Sequence, residues 1–308
     1  MGKIVASVRN NRSVGTGATT LTDDIKFNFT AHTLHLDVFG DLAGSDVNTV
    51  ALGVASVGQV RIETTISQPQ STIDGADLFN FMQNVGISPY YTANNLTVDG
   101  QPKGFALIQP FTPFPMDDTR NYGLPSQRGV QAVVDWIADG TLDDKIYDMT
   151  VEGISSDIQP SPLGYIKFIR DAYTSGAVGE ENKTRVTGNR LLGSMNFQTS
   201  EFEVLAANAA NNITGIRQQA VLFSDNIVLG PYKAFRSWSM GAYATSLKLS
   251  SPIGNIAGNL TNLGAFFSDY GIHNSGKLGL DIAGRTVDIR TTAGVAQATR
   301  VNPVVLVT

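Results

Sequence analysis

The sequence predicts an all-β protein with a few short helices, built as two β-rich modules in tandem. Three observations predict it. Short β-type segments, punctuated by Gly, Asn, Ser, Thr and Pro, run nearly end to end through the 308 residues. One strong helix signal sits close to the middle, where a connector would lie. There is no Cys and there are only three His, which does not suggest an enzyme built around one reactive site.

The bulk numbers bound the rest. A chain of 308 residues buries a substantial core, and is long enough for two. Hydrophobic residues make up 42%, which reads as globular rather than disordered. Charged residues are 16%, against about 25% in an ordinary soluble domain. Neutral polar surface of this kind packs against copies of itself without desolvating many charges. No apolar stretch is long enough to span a membrane as a helix. The N-terminus lacks a signal-peptide core, because Arg9 and Arg12 interrupt it. The Asn-x-Ser/Thr sites then read as accidents of an Asn/Thr-rich chain. Absent cysteines exclude disulfides and thiolate metal sites and fit synthesis in a reducing cytosol.

Charge is segregated along the chain. Residues 1–180 carry 20 acidic and 11 basic side chains, a net of −9; residues 181–308 carry 7 and 11, a net of +4. An acidic front and a basic back favour head-to-tail association, which closes into rings when the rotation allows. Chance segregation is the bland alternative.

Taken in order, residues 1–22 read as a flexible or extended N-terminal arm with Lys3, Arg9 and Arg12 and no acid before Asp23. Its functional reading is contact with anionic phosphates, and many copies in an array would add their weak contacts. The competing reading is an ordinary frayed terminus. Residues 23–160 form the first β module. Leu34, Leu36 and Val38 alternate, as do Val60 and Ile62 inward with Arg61 and Glu63 outward. Residues 104–111 and 145–151 are further strand candidates. Phe111 to Pro115 reads as a loop, since its prolines remove ladder donors.

Helix signals interrupt this module twice. Asp74 is a candidate N-cap for a helix carrying Leu78, Phe79, Met82 and Val85, ended at Gly86. Ser126 is placed to cap a second, with Val130, Val133, Val134 and Ile137 on one stripe and Gly140 at its end. Residues 161–182 form the helical connector: Ser161-Pro162 opens it, Leu163, Ile166, Ile169 and Tyr173 make the stripe, and Gly176 stops it. The polar run from Gly179 to Lys183 is the best domain boundary.

Residues 183–308 form the second β module. Strand signals lie at Phe202–Val204 and from Trp238 to Ala244. Val221 to Phe223 and Ile227 to Leu229 flank Ser224-Asp225-Asn226, a hairpin signal. Ile256, Leu260, Leu263 and Phe267 fall at helical spacing. Leu280 and Ile282, then Val287 and Ile289, flank Gly284-Arg285 as the strongest hairpin. Val301 to Val307 is a terminal strand whose Pro303 belongs at its edge or start. The halves share no residue-by-residue repeat; they share element order, with roughly eight strand candidates each.

Chemistry is sparse. His32 and His35 lie three apart in a strand region and point to opposite faces, so they do not readily share a metal. His273 stands alone. There is no Gly-x-Ser-x-Gly elbow and no phosphate-binding Gly-rich loop. The acidic pairs Asp23-Asp24, Asp117-Asp118 and Asp143-Asp144 are expected in loops, where they offer hard oxygen ligands to Ca²⁺; solvated loop carboxylates are the simpler reading. Basic residues do not cluster with aromatics, which argues against a specific nucleic-acid surface. No catalytic, cofactor-binding or metal-ligating residue is assigned.

The stretch Val60-Arg61-Ile62-Glu63, followed by Thr72-Ile73-Asp74-Gly75-Ala76-Asp77-Leu78, leads a charge-alternating strand into a capped helix. With two β modules, a helical link and no cysteines, it resembles the double jelly-roll major capsid proteins of the tectivirus, corticovirus and adenovirus lineage. The size is similar to the short members from internal-membrane bacteriophages, the corticovirus and Flavobacterium single-stranded DNA phage types. The resemblance covers about residues 25–308 in organisation and some 20 residues in wording.

It implies two jelly-roll barrels in tandem and a homotrimer with a pseudo-hexagonal footprint. Such trimers would tile an icosahedral virion shell over an internal lipid membrane, beside minor capsid and vertex proteins. The arm with Lys3, Arg9 and Arg12 would then face lipid headgroups. Two other classes compete. One is a phage spike or receptor- or carbohydrate-binding β protein, with Tyr90, Tyr91 and Trp238 stacking on sugar rings. The other is a β-sandwich hydrolase with a carboxylate pair.

Overall fold

The computed structural model describes residues 4–14, 21–42, 57–63, 69–84, 103–113, 122–125, 130–136, 142–155, 157–158, 161–175, 181–198, 216–222, 227–229, 266–269, 279–284, 287–293 and 297–308. The chain forms two compact units. The first extends from the N-terminus to Lys167 and the second begins at Phe168.

Among its described residues the first unit contains eight strands and a helix: β1 (Ile4–Val14), β2 (Leu21–Lys26), β3 (Thr30–Leu42), β4 (Val57–Glu63), β5 (Pro69–Asp74), α1 (Gly75–Asn84), β6 (Lys103–Pro110), β7 (Gln131–Trp136) and β8 (Leu142–Ile154). They make two four-stranded sheets, ordered β1-β8-β3-β6 and β2-β7-β4-β5. Every pairing between them is antiparallel. The core lies between these sheets. Leu34, Leu36, Leu107, Met149 and Val151 fill it from one side; Val60, Ile62, Ile73, Ala132 and Val134 fill it from the other. Trp136 of β7 and Tyr147 of β8, both fully buried, stack across it with ring centroids 4.1 Å apart. The buried Gln109 of β6 donates from Nε2 to Ser71 Oγ of β5 at 2.9 Å, a polar tie between the sheets.

The second unit repeats that order. A four-residue strand, β9 (Tyr165–Phe168), leads into it. Then come β10 (Asp171–Ser175), β11 (Glu181–Val186), β12 (Arg190–Gln198), β13 (Ile216–Leu222), β14 (Ile227–Leu229), β15 (Phe266–Asp269), β16 (Leu280–Asp281), β17 (Val287–Ala293) and β18 (Gln297–Val307). One sheet runs β10-β18-β12-β15, with β16 on β12 and β9 on β18; the other runs β11-β17-β13-β14. Set aside β9 and β16, and number the eight remaining strands within the unit. Both units then read 1-8-3-6 over 2-7-4-5. Two sheets woven by the same eight strands in that order are a jelly roll. The chain is two jelly rolls in tandem.

Several local expectations are corrected. Residues 4–14 are not a free arm: they form β1, paired along β8 from Ile4↔Ile154 to Val14↔Lys145. Within the proposed helix at 126–140, Gln131–Trp136 is strand β7 and the flanking residues, save Val130, lie outside the described ones. Val133 and Val134 are both buried, so a strand covered on both faces imitates the i, i+3, i+4 stripe of a helix. The connector is not helical either: β9 and β10 occupy it. Tyr165 to Phe168 alternate in burial, and Asp171 to Ser175 pair with β18, so non-local ladder bonds override the local spacing. Leu163, read as part of the helical stripe, is 60% exposed.

The hairpin at Gly284 is absent. β16 pairs with β12 and β17 with β11 and β13, so the chain arches from one sheet to the other. Ile282, Val287 and Ile289 all enter the same core, which the arch allows and a flat hairpin would not. Gly284 takes φ +68 there, and Asp281 Oδ1 accepts from the Ala283 N–H at 3.1 Å. Pro303 lies inside β18, opposite Ser194. Its carbonyl accepts from Ile169 N at 2.9 Å, so its missing N–H faces the break between β9 and β10. No ladder donor is required at that break.

Other expectations hold. Leu34 and Leu36 face the core of β3, and Val60 and Ile62 that of β4. Helix α1 starts directly after Asp74 and buries Leu78, Phe79 and Met82, with Phe81 besides. Val221 pairs with Val228 in the β13–β14 hairpin. The helix read at Asn255–Phe267 falls outside the described residues except at its end, where Phe267 is strand. Phe202–Val204 and Trp238–Ala244 also lie outside them.

Candidate assembly surfaces

Four outward sheet faces result from this fold, and they differ in cover and charge. On the first unit's β2-β7-β4-β5 sheet, Arg61 sits among acids. Its Nη2 is 2.8 Å from Asp135 Oδ1 and its Nη1 is 3.1 Å from Glu63 Oε1. Thr22 Oγ1 donates to the same Asp135 oxygen at 2.9 Å. Glu63, expected to point into solvent, is buried, and so is Val133 opposite Arg61, while Thr22 and Lys26 on the same face are exposed.

On the second unit's β10-β18-β12-β15 sheet, Val301 and Val305 face the core. The intervening Asn302, Val304 and Leu306, with Met195 opposite Asn302, are also buried. Asn302 Nδ2 donates to the Met195 carbonyl at 3.3 Å. Toward β10 the same sheet is exposed, at Ala298 and Thr174.

The other two faces also mix exposed and covered side chains. On the first unit's β1-β8-β3-β6 sheet, Ala6 is exposed, Val8 is 52% exposed, and the Glu152 side chain is 51% exposed. His35 Nε2 lies 3.7 Å from Glu152 Oε2 and 2.9 Å from Thr33 Oγ1. Asp37 stands opposite Asp148 in register, and Asp41 opposite Asp143. On the second unit's β11-β17-β13-β14 sheet, Lys183 is exposed and the Arg185 side chain is 68% exposed; Arg185 Nε meets the buried Asp288 at 3.3 Å.

The residues singled out from sequence do not converge. Arg9 and Arg12 stand in β1 opposite Met149 and Tyr147; Lys3 lies outside the described residues. Asp23-Asp24 and Asp143-Asp144 are in β2 and β8, not loops. Neighbours along a strand alternate between faces, so neither pair makes one chelating unit. Asp117-Asp118, His273, Tyr90, Tyr91 and Trp238 lie outside the described residues. Among the described residues no group of three or more His, Cys, Asp or Glu is placed to hold a metal. Sequence reading missed which outward side chains the fold buries. Its one available signal was alternation that failed, as at Val133-Val134 and at Asn302 to Leu306.

Over nearly its whole length the chain superposes on viral capsid subunits. It matches the major capsid protein of Sulfolobus Turreted Icosahedral Virus with a TM-score of 0.64 at 11% identity, covering 99% of this chain and 97% of that one. It matches the PBCV-1 virus capsid protein at 0.58 and 9%, covering 99% and 94%. This chain has the double jelly-roll fold. The major capsid protein P2 of bacteriophage PM2 shares it at 0.53 and 10%, covering 99% and 98%. No family profile and no curated protein sequence matches the chain. The double jelly roll therefore rests on topology and superposition, at identities too low for residue roles to transfer.

Proposed function

We propose that this chain is the structural major capsid protein of an icosahedral virus. It would assemble as homotrimers, three copies giving a pseudo-hexagonal capsomer that tiles the virion shell over an internal membrane. The observation that carries the reading is the tandem repeat itself. Two jelly rolls of identical strand order fill one chain, and the chain superposes on capsid subunits from end to end. A role without catalysis is consistent with the scattered carboxylates. Minor capsid and vertex proteins would be further partners.

Light scattering after size exclusion tests the assembly. The expected result is a species of three chain masses at low salt, and hexagonal arrays by electron microscopy at high concentration. A strict monomer at every concentration and salt overturns the reading.

The membrane-facing role belongs to Lys3, Arg9 and Arg12. Because β1 is part of a sheet, deletion of the N-terminus would injure the fold, so charge removal is the cleaner test. The triple variant Lys3→Gln/Arg9→Gln/Arg12→Gln is expected to keep its oligomeric mass and to lose binding to anionic vesicles. Unchanged binding refutes this part.

A further inference from the structure

We infer that the second unit binds an ordered water molecule inside its core, held between Asn182 of β11 and Thr299 of β18. The site belongs to the folded chain and not to its assembly, so it stands or falls apart from the capsid reading.

Register places the two residues. Val301 and Val305 of β18 face the core, with Val186 of β11 and Ile289 of β17 in the same cluster. Side chains two apart on a strand share a face. Thr299 therefore points inward from β18, and Thr184 and Asn182 point inward from β11. Strand β10 supplies the wall between them. Its Tyr173 stands opposite Thr299 in register and packs against the same core. Thr184 Oγ1 donates to Asp171 Oδ2 at 2.6 Å, which ties β11 to β10 across the two sheets. Five residues join β10 to β11, so the chain doubles back, and stepping two residues from that tie brings Asn182 level with Tyr173. Asn182 and Thr299 thus meet the same neighbour from facing sheets.

Chemistry then selects the guest. The core is apolar as far as Val186 and Val301 and turns polar beyond them. Thr299 is 2% exposed, and its buried Oγ1 has no hydrogen-bond partner among the described residues. Asn182 Nδ2 is buried in the same condition. A buried polar atom left so bears the full cost of its desolvation, and such atoms in folded proteins are usually met by ordered water. One of these two is a donor only, and the other donates or accepts. A cation does not suit the amide N–H, and an anion would meet the Asp171 carboxylate. Water suits both ends: its oxygen accepts from Asn182 Nδ2 while one O–H donates to Thr299 Oγ1. The bridge would continue, through solvent, the polar seam that Thr184 and Asp171 make directly.

A crystal structure of the full-length protein that shows ordered solvent tests the inference. The expected result is a water peak about 2.7–3.2 Å from both Asn182 Nδ2 and Thr299 Oγ1. No peak there, a direct bond between the two side chains, or another protein group bonded to each overturns it. Thermal melts give a second reading. Thr299→Val and Asn182→Leu each remove one end of the bridge at nearly constant volume. Each should lower the melting temperature by about 2–4 °C. The double variant should lose no more than the larger single loss, because no unsatisfied group is left behind. Additive losses mean two separate environments and overturn the shared water. Thr299→Ser keeps the hydroxyl and should keep the peak; a peak lost there would assign the site to the methyl group and also overturn it. Where a variant loses its β-sheet circular dichroism, the solvent peak in the parent decides.

Discussion

Arg61 shows how a charged residue becomes structural. It serves two carboxylates, Glu63 and Asp135, in a site where all three side chains are at most about a quarter exposed. Removing it leaves two partly desolvated anions without their cation. Arg61→Ala should therefore cost about 3 kcal/mol in urea unfolding, and Asp135→Asn about 1 kcal/mol, since Arg61 keeps Glu63. Equal losses would show that Arg61 does not bridge the two. Burial tunes two groups in β9 in opposite senses: it holds the Lys167 ammonium below its usual pKa and pushes the Tyr165 phenol above its own. Below its depressed pKa, Lys167 is charged in both states and weakens the fold. That penalty is relieved as pH rises from the depressed value toward 10.5, because the unfolded chain then holds more protons. Tyr165 acts the other way: from about pH 10 upward the unfolded phenol ionises first, and stability falls. Tyr165→Phe should thus leave a rising alkaline stability curve and Lys167→Met a falling one, read by thermal melts between about pH 8 and 11.

Elements here are held by pairing and by close backbone approach. Gly153 of β8 lies between Val5 of β1 and Ala31 of β3, where the β3–β8 register shifts. A Cβ there would press on the carbonyl of Thr30, and backbone cannot yield as a side chain tip can. Gly153→Ala should cost about 3 kcal/mol, more than an ordinary overpacked core position, with the loss confined to the first unit. Near-neutral stability would mean that β3 shifts freely, against the extent of its ladder. Helix α1 is held differently: its buried Leu78, Phe79, Phe81 and Met82 anchor it, and Met82 Sδ lies 3.1 Å from the Ile108 N–H of β6. That side-chain anchorage follows from its amphipathic stripe, so it was legible from spacing.

At the scale of the molecule, duplicated topology without duplicated sequence is the central fact. A jelly roll asks only for eight strands of suitable alternation and turns between them, so two units can diverge completely and keep one order. Charge then distinguishes what topology does not. Residues 1–180 carry a net charge of −9 and residues 181–308 a net of +4. Assembly driven by that segregation should weaken as ionic strength rises from about 0.05 to 1 M, since the Debye length shrinks to about 3 Å. Oligomers indifferent to salt would place the binding energy in apolar contacts instead, with exposed Val8 and Leu163 as the first residues to substitute.

The sequence by itself determined the all-β class, the two modules, the inward faces of β3 and β4, the helix after Asp74 and the hairpin at Val221–Val228. Each depends on neighbours within a few residues: alternation at period two, a cap, an amphipathic stripe. Only the tertiary structure decided that 131–136, 165–168 and 171–175 are strands, that the chain arches at Gly284, that β18 takes Pro303 in its interior, and that Glu63 is buried. Those outcomes depend on partners far along the chain. The ladder bonds from Asp171–Ser175 reach β18 across more than a hundred residues, and a strand buried on both faces carries no alternation to read. The same reason hid the candidate surfaces. Whether a charge is buried, like Glu63, or exposed, like Glu152, is set by what packs against its sheet, and local sequence does not encode that.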